Sequence, residues 1–68
     1  MKMKVKEFKE QYGNMLNNIE VYTPTDEINC TSVKELGRYY KYSTNSDEAE
    51  VDFVDTEILS NTARIFTK

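Results

Sequence analysis

The stretch Ala49-Glu50-Val51-Asp52-Phe53-Val54-Asp55-Thr56-Glu57-Ile58-Leu59-Ser60-Asn61-Thr62-Ala63-Arg64-Ile65-Phe66-Thr67-Lys68 decides the fold. It reads as a β-hairpin. Ala49, Val51 and Phe53 alternate with Glu48, Glu50 and Asp52, which gives one apolar and one acidic face at the two-residue strand period. The alternation breaks at Val54-Asp55. Continued strictly, it would turn Asp55 and Glu57 into the core, at several kcal/mol for each unpaired ion. A bulge near Val54 or a strand end is cheaper. Ser60-Asn61 supplies a turn, and Arg64 to Thr67 returns with Ile65 on one face and Phe66 on the other. Apolar residues on both faces place that last strand inside a sheet or against a partner.

Upstream, residues 4–16 carry Val5, Phe8, Tyr12, Met15 and Leu16 at three- and four-residue steps, the stripe of an amphipathic helix. Gly13 weakens its last turns and ends the regular helix early. Asn17-Asn18 is a stop signal. Ile19 to Thr23 alternates as a strand, and Pro24 ends it for want of an N–H. Glu27 to Thr31 reads as a second short strand, with Ile28 and Cys30 inward. Ser32-Val33-Lys34-Glu35 matches a capping box. A two-turn helix at 33–38, weakened by Gly37, is expected to follow, then a strand at 39–43. The competing reading runs a strand through Arg38 to Tyr42. Ser43 to Asp47 is a polar loop. The expected architecture is a single α+β domain over 1–68. Its N-terminal amphipathic helix packs on an antiparallel or mixed sheet of about four strands, with a short second helix. The expected core is Val5, Phe8, Tyr12, Leu16, Ile19, Val21, Ile28, Leu36, Val51, Phe53 and Ile65.

Composition narrows the function classes. A net charge of −3 argues against general nucleic-acid binding, which depends on lysine and arginine displacing counterions. No histidine is present and there is one cysteine, so no Ser-His or Cys-His pair, internal disulfide or zinc set can form. No apolar run long enough for a signal sequence or a membrane span is found, and a cytoplasmic chain is expected. No catalytic residue, no metal and no cofactor is expected.

Two features carry binding chemistry. Asp47, Glu48, Glu50, Asp52, Asp55 and Glu57 are six of the twelve acidic residues, with no basic residue among them. Such a row presents negative charge to a basic protein surface, or is a solvated outer face that keeps a sheet edge soluble. Asp47, Glu48, Glu50 and Asp52 are the expected contact residues. The second feature is Arg38, Tyr39, Tyr40 and Tyr42, with Lys41 among them. Aromatics interleaved with cations stack single-stranded bases, or pack a strand, or form a protein interface.

The opening Met3-Lys4-Val5-Lys6-Glu7-Phe8, the strand Ile19-Glu20-Val21-Tyr22, the late Ala49-Glu50-Val51-Asp52-Phe53 and the terminal Arg64-Ile65-Phe66 together resemble small uncharacterised proteins of prophages and mobile elements in low-GC Gram-positive bacteria. The resemblance implies an accessory role, inhibiting or redirecting a host protein, and brings no functional residues with it. The expectation is therefore a non-enzymatic protein-binding accessory factor that meets a host protein through its acidic strand. The alternatives are a small structural homodimer and a weak single-stranded nucleic-acid binder at the tyrosine patch.

Overall fold

A computed structural model of the chain describes residues 2–26 and 32–68. Among these residues one helix packs on a curled five-stranded mixed sheet. The helix α1 is Val5–Tyr12, and a 3-10 turn, Gly13–Met15, follows it. The strands are β1 Asn18–Pro24, β2 Ser32–Glu35, β3 Arg38–Ser43, β4 Val51–Glu57 and β5 Thr62–Thr67. Their order across the sheet is β2-β3-β1-β5-β4. β1 and β5 pair in parallel, and every other neighbouring pair is antiparallel. The terminal strand lies inside the sheet, between β1 and β4, which is why it is apolar on both faces.

The helix starts at Lys4, whose N–H donates to the Glu7 carboxylate at 3.0 Å. That acid in the first turn offsets the unfavourable lysines there. Val5 and Phe8 turn onto the sheet and meet Val21, Val51, Ala63 and Ile65, with Met3, Leu16, Ile19, Ala49 and Val54 around them. Tyr12 stays on the rim, partly exposed, with its ring tilted against Phe8.

The expected second helix is absent: residues 32–35 are strand β2. Glu35 pairs with Arg38, so Leu36 and Gly37 alone make the turn. Their φ values, 51° and 79°, are both left-handed, which is the requirement of a two-residue hairpin turn whose twist matches its strands. Gly37 makes this turn rather than weakening a helix. Leu36 therefore leaves the expected core and stands 71% exposed at the tip. Among the described residues the sheet has five strands rather than about four, and β2 is one that was expected as helix. The expected strand Glu27–Thr31, with Ile28 and Cys30, lies outside the described residues.

The β4–β5 hairpin forms as expected, but its irregularity falls between Val51 and Phe53, two residues earlier than the break in alternation. The bulge at Asp52 sends Val51 to the helix side and Phe53 to the opposite face, where it stacks on Phe66 with centroids 4.6 Å apart. Phe53 thus belongs to a second cluster, with Phe66, Tyr40 and Tyr22. Tyr40 and Phe66 are buried there, though neither was in the expected core. In a flat sheet β3 and β4 would stand about 14 Å apart, three strand spacings. Here Tyr40 and Phe53 have ring centroids 6.4 Å apart, and Arg38 hydrogen-bonds Asp52. The sheet curls over its aromatic face while α1 covers the other.

Candidate protein-contact surface

Folding supplies the counter-charges that the acidic segment lacks in sequence. Lys9 Nζ lies 2.8 Å from Asp47, and Lys4 and Lys6 hold Glu48 at 2.9 and 3.0 Å. Lys68 pairs with Glu50 at 3.0 Å, and Arg38 with Asp52. The hydrogen bond from Lys4, then that from Lys6, hold the Glu48 carboxyl down at about 2. Four acids therefore face five cations. These four are the expected contact residues, and the expectation rested on their having no counter-charge.

The charge balance reverses at the other end of β4. One guanidinium, Arg64, serves three carboxylates: Glu20 at 3.1 Å, Glu57 at 3.1 Å and Asp55 at 3.9 Å. Glu20, Asp55 and Glu57 surround Arg64 because the pairings Glu20↔Arg64 and Asp55↔Arg64 place them on one face of the sheet. Asp55 remains mostly exposed, at 63%. The surplus negative charge thus sits at Asp55 and Glu57, on the exposed end of the strand.

The tyrosine patch does not form one surface. Strand alternation puts Arg38, Tyr40 and Tyr42 on one face of β3, with Tyr39 and Lys41 on the other. Tyr40 is buried, and its hydroxyl has no hydrogen-bond partner among the described residues. Burial pushes its phenol up, with Arg38 partly opposing. Tyr42 is exposed and meets Tyr22 edge-on, while Tyr39 lies half-buried under Lys34.

The largest apolar exposure among the described residues was not expected from the sequence. Ile58 and Leu59, in the β4–β5 turn, are 91% and 98% exposed. The turn is nonetheless fixed. Asn61 N–H donates to Ile58 O at 3.2 Å, and Asn61 Nδ2 donates to Met15 O at 2.8 Å. Asn17 N–H donates to Asn61 O at 2.9 Å. Asn61 itself takes a left-handed φ of 50°, which asparagine tolerates. These bonds tie the turn to the corner after α1. A groove of about 300 Å3 opens there between α1, the 3-10 turn and β4–β5. Phe8, Tyr12, Met15, Leu16, Val54 and Ala63 line it, with Thr56. The signal was present in the sequence as two aliphatics at a turn beside Ser60-Asn61. What it could not supply was the distant corner that makes a groove next to them.

Among the described residues no group of three or more carboxylates is placed to hold a metal ion. No described helix is long and apolar enough to cross a membrane. Comparison with protein-family models, with curated proteins and with solved structures finds no match.

Proposed function

We propose that this chain is a non-enzymatic protein-binding module whose contact surface is the β4–β5 turn and the apolar groove beside it. The observation that carries this reading is Ile58 and Leu59, almost wholly exposed on a turn that hydrogen bonds hold in place. Fully burying such a side chain is worth about 1.5–3 kcal/mol. These two contribute almost none of that to folding, so the gain is available to a partner. The groove extends the patch with Met15, itself 62% exposed, and with the exposed edge of Tyr12. The acidic strand enters the reading at its Asp55–Glu57 end, where charge is left over to orient an encounter. The resemblance to phage and mobile-element accessory proteins directs the search to a host protein in the cytoplasm.

Capture tests the reading. Wild type and an Ile58→Ser, Leu59→Ser double variant would be compared for cross-linked partners in a Gram-positive lysate. Both residues are exposed, so the double variant should keep its melting behaviour, within about 0.5 kcal/mol per site. A partner retained by wild type and lost by the variant supports the reading. Equal retention by both would sink this surface as the contact. Sedimentation of the free protein tests the homodimer reading: a wild-type dimer that the double variant dissolves would assign the same surface to self-association.

A further inference from the structure

Resting on that reading, we propose that the partner segment is an extended strand that adds to the outer edge of β4, with alternating apolar and cationic side chains. Among the described residues, β4 is the outermost strand on its side of the sheet. The chain already uses the first step of this edge. Val51 N–H donates to Met3 O at 2.7 Å, Val5 N–H donates to Ala49 O at 2.9 Å, and Lys4 bridges Glu50 in antiparallel fashion. Beyond that step, among the described residues, no backbone hydrogen bond from Phe53–Glu57 reaches anything but β5. An incoming strand there pairs with the edge beyond the Asp52 bulge, the mode in which main-chain bonds give affinity and alternate side-chain pockets give specificity.

The two faces of this edge differ in chemistry, and that fixes the occupant. On the helix side Val54 and Thr56 open into the apolar groove. On the other side stand Asp55 and Glu57, sharing one arginine with Glu20. A strand laid along the edge sends alternate side chains to these two faces. One set enters an apolar groove and the other meets surplus negative charge. Acids alone would serve to blunt an edge against aggregation. An apolar groove beside the same edge does the opposite, so protection does not account for the pair. A second copy of this chain fits poorly. Pairing β4 with another β4 would bring Asp55 and Glu57 against the same acids, and like charges across a strand pair are destabilising.

The probe is a fluorescein-labelled heptapeptide of alternating lysine and valine, followed by anisotropy and by hydrogen exchange of the β4 amides. Three controls accompany it: the same residues in two blocks, glutamate in place of lysine, and N-methylation of alternate peptide bonds. The alternating peptide is expected to bind and to slow exchange within Phe53–Glu57. Binding should weaken about tenfold or more in the glutamate peptide and in high salt, and several-fold in an Asp55→Asn, Glu57→Gln variant. N-methylation on the edge facing β4 should abolish it. Equal binding by the methylated peptides, or none by the alternating peptide at about 1 mM, overturns strand addition. So does a free protein that is already dimeric with protected β4 amides. If partner capture still depends on Ile58 and Leu59 when the peptide fails, the contact surface stands and only its strand geometry is lost.

Discussion

Glu48 and Tyr40 show opposite relations between charge and burial, and each yields a pH prediction. Glu48 is a surface carboxylate held by two ammonium groups, and folding lowers it from 4.5 to about 2. A carboxyl depressed on folding stabilises fully above its ordinary value, and the contribution disappears as pH falls from about 4.5 toward 2. Glu48→Gln should therefore lower the urea midpoint at pH 6 and converge on wild type near pH 2. A difference that stays constant over that range would show that the carboxylate does not act through its charge. The effect should be small and salt-sensitive, because both ion pairs are exposed. Tyr40 is buried, with a hydroxyl that has no partner among the described residues. A buried polar group without a partner costs about 1–3 kcal/mol. Tyr40→Phe keeps the ring contacts with Phe53, Phe66 and Arg38, and should raise stability by about 1 kcal/mol. Because burial raises the phenol above 10.0, stability should fall as pH rises past that value, and this alkaline loss should shrink in the variant. Urea titrations at pH 7 and above pH 10 measure both effects, and destabilisation at pH 7 would contradict the first.

At the scale of elements, the β2–β3 hairpin shows where local pattern misleads. Leu36 is an L-residue in left-handed backbone with its side chain in water. Asparagine tolerates that conformation, so Leu36→Asn should stabilise by roughly 0.5–1 kcal/mol. Gly37→Ala has open space for its Cβ but a φ of 79°, and should cost about 1 kcal/mol. Thermal melts of the two variants should move in opposite directions, and a neutral Gly37→Ala would remove the proposed turn type. Ser32 to Glu35 satisfies a capping box, and Val33, Leu36 and Tyr40 keep helical spacing, so local rules favoured a helix. Pairing of Val33 with Tyr40 and of Glu35 with Arg38 overrode them. The β4–β5 hairpin was legible because its alternation and its Ser60-Asn61 turn agree. The bulge was legible in kind but not in place, since Val51 and Phe53 look equivalent until two cores on two faces compete for them. The ion pairs of Asp47 and Glu48 reach Lys4, Lys6 and Lys9, 38 or more positions away, and no reading of neighbours finds them.

For the whole molecule, the curl of the sheet is what turns a small chain into one with two cores. An isolated sheet covered on one side by an eight-residue helix would leave Phe53, Phe66 and Tyr22 in water. Bringing β3 over toward β4 buries Phe66 beneath Tyr40. The polar tie across that closure is Arg38 with Asp52, which joins the second strand in the sheet order to the last. Asp52 is positioned for it by the bulge, so an irregularity in β4 and the curvature of the whole sheet are one feature. Half of the Arg38 side chain is exposed, which keeps the coupling in a double-mutant cycle of Arg38→Ala and Asp52→Ala small and salt-sensitive. The location of the loss is more telling than its size. If the tie holds the curl, breaking it should speed amide exchange in β2 and β3 while β1, β5 and α1 exchange as before. Uniform acceleration across all strands would mean that the pair contributes only to global stability and that the aromatic cluster alone sets the curvature. Phe66→Ala tests the aromatic cluster itself. It removes the ring that Tyr22, Tyr40 and Phe53 all contact, and should cost about 3–5 kcal/mol, close to the total expected of a chain this size.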